Sequence, residues 1–278
     1  TTLFRSDEKR RIREEGDESD ASTTENEDET KNVSKWQDPI NRRHHMVILA
    51  KSEKGMKNLF KLVSRSNIEG MYRFPRIDAR MLKEHGEDLV VTSACLGGFG
   101  AFATLSQFPG VPFDELRPEL LDDPAKMAAV QRELQNSFDP IVDAVGEENV
   151  FAEIQFNKLV PQHLVNRALM EMSKQTGIKL TAAADSHYCR PELWLEREIY
   201  KKLGRMRFED IDASMLPKSK DVLKCELYPK NADQMWDSYQ EYCAGMSFYD
   251  DIIVKDAIER TWSIAHDMIN EAKMNTGI

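Results

Sequence analysis

The sequence predicts an α/β fold, and three observations predict it. Apolar runs of strand length alternate with longer stretches whose apolar residues recur at helical spacing. Strand and helix units follow one another up to Asp185, and a parallel connection between strands needs a crossover of about a dozen residues or more. The last run, 178–184, stops abruptly at Asp185 and His187, and strand ends are where α/β proteins keep their chemistry. A largely parallel sheet or a barrel is therefore expected, followed by a helical region. The 278 residues suffice for one large α/β domain or two smaller ones.

Composition narrows the function classes. Hydrophobic residues make up 41% and aromatics 8%, the values of an ordinary water-soluble chain, and no apolar run approaches the roughly 18 residues of a membrane span. The charged N-terminus does not read as a secretory signal. Cys95, Cys189, Cys225 and Cys243 form no C-x-x-C pair, so a reduced, cytoplasmic setting is expected, without a disulfide framework or a zinc ribbon. A net charge of −10 argues against a chain that holds nucleic acid by itself. Between residues 14 and 30 there are nine Asp or Glu and no Lys or Arg, which reads as a disordered loop or tail. The basic cluster Lys9-Arg10-Arg11-Ile12-Arg13 before it reads as a loose partner of that acidic run rather than a phosphate contact.

Taken in order, the elements begin with order near Trp36 and a strand over 46–50. A helix over 53–65 follows, with Met56, Leu59, Phe60, Leu62 and Val63 at helical spacing. A short helix around 79–84 leads to a strand over 88–92 and then to Gly97, Gly98 and Gly100. Four prolines between 108 and 124 mark a surface excursion. Pro124 sits where a helix starts, and Met127, Val130, Leu134 and Ile141 carry its apolar face. A strand over 150–155, a helix over 162–176 capped by Gly177 and a strand over 179–184 complete the alternation. Beyond it lie helices over 191–203, 232–243 and 250–273, with an extended piece at 225–228. The expected division is an acidic tail or insertion over 1–43, a partial barrel over 44–195 and a helical appendage over 196–278.

Asp185 and His187, two residues apart on extended backbone, would share a face and bind one ion or two neighbouring ions. Cys95 follows the 88–92 strand in Thr92-Ser93-Ala94-Cys95-Leu96-Gly97-Gly98, so its thiolate would face the same mouth; an inert buried thiol is the alternative. His45 precedes the first strand, either exposed or satisfied within the fold if it is not a ligand. Glu153 and Gln155 share one face of their strand, which is expected to be solvated, with a barrel-lining carboxylate as the alternative.

At these segments the chain resembles a known family. His45-Met46-Val47-Ile48-Leu49-Ala50-Lys51 with Gly55-Met56-Lys57-Asn58-Leu59, then Glu69-Gly70-Met71-Tyr72-Arg73-Phe74-Pro75-Arg76-Ile77-Asp78, Ser93-Ala94-Cys95-Leu96-Gly97-Gly98 and Ala184-Asp185-Ser186-His187-Tyr188 are similar, in order and spacing, to blocks of the PHP (polymerase and histidinol phosphatase) domain. The relatives they resemble are the α subunits of bacterial-type, family C DNA polymerase III. Met206-Arg207-Phe208 and Glu226-Leu227-Tyr228-Pro229-Lys230-Asn231-Ala232-Asp233-Gln234-Met235 resemble the link from that domain to the polymerase module.

The resemblance implies a distorted β/α barrel whose rim holds up to three zinc or manganese ions, with His45, Cys95, Asp185 and His187 matching four of the family's nine ligand positions. In metal-active members the cluster supports phosphoesterase or 3′-5′ exonuclease chemistry, one ion making hydroxide and another steadying phosphoryl charge; in others the domain is a structural platform docking replisome subunits. Magnesium is implied only for the polymerase module. Implied partners are DNA through the full polymerase and the remaining polymerase segments or replisome subunits, with no membrane.

The resemblance also implies a departure. The family's N-terminal H-x-H motif and the further acidic and histidine ligands that follow it have no match here, so five of nine ligand positions and about two barrel strands are expected to be missing, as is the paired-aspartate motif of a palm. The chain therefore reads as a piece of an α subunit whose metal site is incomplete and whose open barrel edge needs cover.

Overall fold

A computed structural model describes residues 2–5, 43–71, 74–204 and 210–269. The acidic run, the basic cluster before it and the expected onset of order at Trp36 lie outside them. Six strands are described: β1 (Thr2–Arg5), β2 (His44–Ala50), β3 (Ile77–Asp78), β4 (Leu89–Thr92), β5 (Val150–Ile154) and β6 (Lys179–Ala182). They form one sheet in the order β3-β1-β2-β4-β5-β6. The pairs β4–β5 and β5–β6 are parallel, as expected, but β2 runs antiparallel to both β1 and β4. The chain returns from β2 at the end where β2 finishes, and Lys51 N–H donates to the Asp88 carbonyl (2.9 Å) at that corner. β1 falls within the stretch read as an acidic tail; four residues among charges carry no readable alternation, and β2 supplies the pairing partner.

The helices follow their local chemistry. α1 (Glu53–Ile68) starts at Ser52, whose hydroxyl accepts Gly55 N–H (3.1 Å). α2 (Ala79–His85) is capped by Asp78, which accepts Met81 N–H (2.8 Å). α3 (Phe99–Leu105) was not expected: all seven of its residues are buried, and an apolar helix has no amphipathic period to read. α4 (Pro124–Val145) begins at Pro124 behind the Asp123 cap, and α5 (Val160–Thr176) ends at Gly177 in the left-handed region (φ 83°).

The segment between α3 and α4 is less of a surface excursion than its prolines suggest. Pro112 and Pro118 preset φ at the start of two short 3-10 turns, Phe108, Leu116 and Leu121 are buried along this segment, and Arg167 donates to the Pro118 carbonyl (2.7 Å).

α6 (Trp194–Leu203), α7 (Ala232–Tyr242) and α8 (Asp251–Ser263) form the helical region, α7 opening with an Asn231/Gln234 capping box. α8 gives way to a π-turn at Ile264–Met268. The extended piece at 225–228 is not a strand. It lies beside the loop after β6, where His187 and Tyr188 N–H both donate to the Leu227 carbonyl (2.7 and 3.2 Å) and Leu227 N–H returns to the Tyr188 hydroxyl (3.2 Å).

Strand register sorts the side chains between two faces. Met46, Ile48, Leu89, Val91, Val150, Ala152, Ile154, Leu180 and Ala182 point to the main core, where α1, α3, α4 and α5 pack. The opposite face is apolar at one end, where Leu49, Val90 and Phe151 meet Ile264, Met268 and Ile269 from the end of α8. The alternation places His45, Thr92, Glu153 and Thr181 on this second face, towards its other end. Among the described residues no helix is long and apolar enough to cross a membrane.

A buried polar chain ties the helical region to the sheet. Asn166 Nδ2 on α5 donates to the Gln155 carbonyl (2.7 Å) and to the Tyr249 hydroxyl (2.7 Å), which also lies 3.0 Å from His163 Nδ1. Phe156, Tyr239 and Tyr249 pack edge to face around this point. Burial pushes the His163 imidazole down to about 4, against a bond to the Asn157 backbone that favours the charged ring. A base whose folded value lies below its unfolded value of 6.5 contributes stability that is complete above pH 6.5 and is lost as pH falls towards about 4. Between pH 7 and pH 5 the wild-type chain should therefore lose about 2 kcal/mol more unfolding free energy than His163→Gln, as read by urea titration at both values.

Candidate metal site

Cys95 and His45 arrive from segments fifty residues apart and meet. β4 ends at Thr92, Ala94 takes a left-handed conformation (φ 58°), and the chain turns so that Cys95 Sγ accepts Gly97 N–H (3.4 Å) and lies 3.8 Å from His45 Nδ1. His45 N–H donates to the Gly97 carbonyl (2.8 Å), and its ring lies over Gly97. Gly98 has no room for a side chain: a Cβ there would stand 1.9 Å from the Ser93 carbonyl oxygen.

Asp185 and His187 are a second pair, reached differently from the expectation. β6 stops at Ala182 and Asp185 has φ 49°, so the two side chains do not continue the alternation of an extended strand. Instead His187 folds back, its Nδ1 2.5 Å from the Asp185 carbonyl and 3.9 Å from Asp185 Oδ1. A carbonyl only accepts, so Nδ1 carries the proton and a neutral ring keeps its lone pair on Nε2. Ligating histidines are held this way, one nitrogen donating to a carbonyl while the other faces the metal.

Electrostatics joins the pairs. Burial pushes the Cys95 thiol up to about 11, and the charge of Asp185 adds to the rise, while the Gly97 amide opposes it. Cys225 on the 225–228 segment is raised to about 11 by the same two causes, burial and Asp185. Both thiols are neutral at pH 7, and a bound cation beside Asp185 would reverse that balance.

Glu153 is buried rather than solvated, correcting the sequence expectation. It is 7% exposed, accepts from Thr92 Oγ1 (2.7 Å) and from Gln155 Nε2 (2.9 Å), and is pushed up by burial against those two bonds. The period-two pattern identified the shared face and left its burial open. Cys225 carried no sequence signal at all, because the contact at Leu227 brings it to the site.

The donors come as two pairs. Among the described residues no three His, Cys, Asp or Glu side chains are grouped so as to hold one ion, whereas a zinc site takes at least three protein ligands. The donor chemistry suits zinc or manganese and the described set does not complete a site, so no reaction step is routed through a metal.

His45 near the start of β2, and Cys95, Asp185 and His187 beyond the ends of β4 and β6, set a pattern of Cys, His and Asp donors on an α/β sheet, and the comparisons give its family. The family model described as PHP domain matches residues 15–157, and the chain belongs to the PHP domain family. That match contains His45 and Cys95 and stops before Asp185 and His187. Among curated relatives, the DNA polymerase III subunit alpha of Borreliella burgdorferi is 34% identical over 176 residues, 63% of this chain and 13% of the relative. That of Aquifex aeolicus is 31% identical over 150 residues (54% and 11%), and that of Treponema pallidum 29% over 201 residues (72% and 15%). The matched part thus spans between a tenth and a sixth of these relatives.

Close packing at the Cys95 turn gives a test. Gly98→Ala should cost about 2–4 kcal/mol of unfolding free energy, because its new methyl meets backbone, whereas Gly97→Ala, whose methyl meets only the His45 ring at 3.0 Å, should cost less than about 1 kcal/mol in the same urea titration.

Proposed function

We propose that this chain is the PHP region of a DNA polymerase III α subunit, acting in DNA replication as part of a larger DNA-directed DNA polymerase, with DNA and the remaining polymerase segments or replisome subunits as partners. His45, Cys95, Asp185 and His187 contribute four ligands to a zinc or manganese site of phosphoesterase or 3′-5′ exonuclease type, which needs further donors. The observation that carries the metal reading is the approach of Cys95 Sγ to His45 Nδ1 at 3.8 Å. Ligands about 2.3 and 2.0 Å from one zinc ion stand at about that separation in a tetrahedral site. The tautomer of His187 supports it further, and the named relatives support the replication role.

When bound, the ion would supply a Lewis acid and an activated water. The chain's own residues do the preparatory work. Asp185 brings negative charge to Cys95, the Asp185 carbonyl orients His187, and Gly97 leaves space for the His45 ring.

A second reading, a non-catalytic platform that docks other replisome subunits, is favoured by the arrangement of the donors in two pairs. Metal uptake separates the two. Purified with Zn2+, the chain should retain metal measurable by elemental analysis, with a retention at least about tenfold weaker in Cys95→Ser and Asp185→Ala. Equal uptake by wild type and both variants, with a melting temperature unmoved by chelator, would favour the platform. The chain should not release nucleotides from 3′-labelled DNA; release that disappears in Asp185→Ala would show the site to be complete.

A further inference from the structure

We infer that Glu153 is a positioning residue of the Cys95–His45 pair: acting through Thr92, its carboxyl fixes the turn that presents the Cys95 thiol to the His45 ring. The meaning of that geometry for metal binding rests on the function proposed above; the geometry itself does not.

The turn needs support. Ala94 holds a left-handed conformation (φ 58°) that is unfavourable for a residue with a Cβ and persists only where the surroundings over-determine it. On the glycine side, Gly98 N–H donates to the Cys95 carbonyl (2.7 Å), Gly97 N–H to Cys95 Sγ (3.4 Å) and His45 N–H to the Gly97 carbonyl (2.8 Å). On the sheet side the contacts converge on Glu153. Thr92 Oγ1 accepts Ala94 N–H (3.3 Å) and donates to Glu153 Oε2 (2.7 Å), so one hydroxyl links the strained residue to the carboxyl. The Glu153 amide donates to Ser93 Oγ (2.8 Å), and Ser93 N–H donates to the Phe151 carbonyl (3.1 Å). Thr92 and Ser93, the two residues before the turn, are thereby both tied to β5.

Two other roles fit less well. A ligand must be grouped with further donors, but among the described residues no three His, Cys, Asp or Glu side chains are so grouped, and Oε2 faces Thr92 while Oε1 faces Gln155 Nε2 (2.9 Å). Simple packing needs no acid at a 7% exposed position, where an apolar side chain would fill the same space. What remains is alignment, the role that residues behind a ligand play in metal sites generally.

The test uses the full chain and its own thiols. Iodoacetamide labelling, followed peptide by peptide by mass spectrometry, compares Cys95 with Cys225 and Cys243 in wild type, Glu153→Leu, Glu153→Gln and Thr92→Val. Thr92→Val is nearly isosteric and keeps the experiment informative if Glu153→Leu does not fold. Labelling at Cys95 should rise about tenfold relative to Cys225 in Thr92→Val and Glu153→Leu, since thiol reactivity follows access and local environment, and stay within about twofold of wild type in Glu153→Gln, which still offers Thr92 an acceptor. An unchanged Cys95 rate in Thr92→Val, or a parallel rise at Cys225 and Cys243, would overturn the inference. With Co2+ alone as probe, the sulfur-to-cobalt absorption of wild type should weaken in Thr92→Val. A wild-type chain without that band contradicts the metal reading, while the labelling ratio still decides the role of Glu153.

Discussion

A carboxyl group sealed inside a sheet must find its hydrogen-bond partners in the protein, and the partners Glu153 finds organise much of this fold. Its oxygens take Thr92 from β4 and Gln155 from its own strand. The backbone of Gln155 is in turn read by Asn166, which holds Tyr249 between α7 and α8. One polar path therefore runs from the strand end beside the candidate site, across the sheet, to the helical region. Leaving any buried member of it unpaired costs about 1–3 kcal/mol, which is large against the net stability of a domain.

The second face of the sheet has two unlike ends. At one end Leu49, Val90 and Phe151 are closed over by the segment following α8. At the other, the strand ends turn sharply at Ala94 and Asp185, two residues with left-handed backbone, and deliver Cys95, Asp185 and His187 to a common region. Strain of this kind is retained where it aims side chains. The contact of Leu227 with the His187–Tyr188 loop brings the link to the helical region into the same place, and Cys225 with it.

How much of this was legible depended on whether a feature is local. Apolar runs located β2, β4, β5 and β6, and helical periodicity located the long helices, with Pro124 marking a start and Gly177 a stop. α3 was invisible for the opposite reason, being apolar on every side. β1 lacks the apolar run that marks the equally short β4 and β6, β3 has only two residues, and both exist through their neighbours. The antiparallel direction of β2 was beyond a strand-helix count, since it depends on the end of the sheet at which the chain returns. At the site, the residue types and their order were readable. The two-pair arrangement was not, because it follows from φ at Asp185 and from a glycine turn that only tertiary hydrogen bonds stabilise.

The proposed function rests on two donor pairs, His45 with Cys95 and Asp185 with His187, contributing to one cation site that needs further donors. Nuclear magnetic resonance of the histidine ring nitrogens during Zn2+ titration tests it most directly. The account predicts that His187 starts with its proton on Nδ1, and that the rings of His45 and His187 respond together while that of the buried His163 stays unchanged. His187 with its proton on Nε2, or rings that ignore Zn2+, would contradict it.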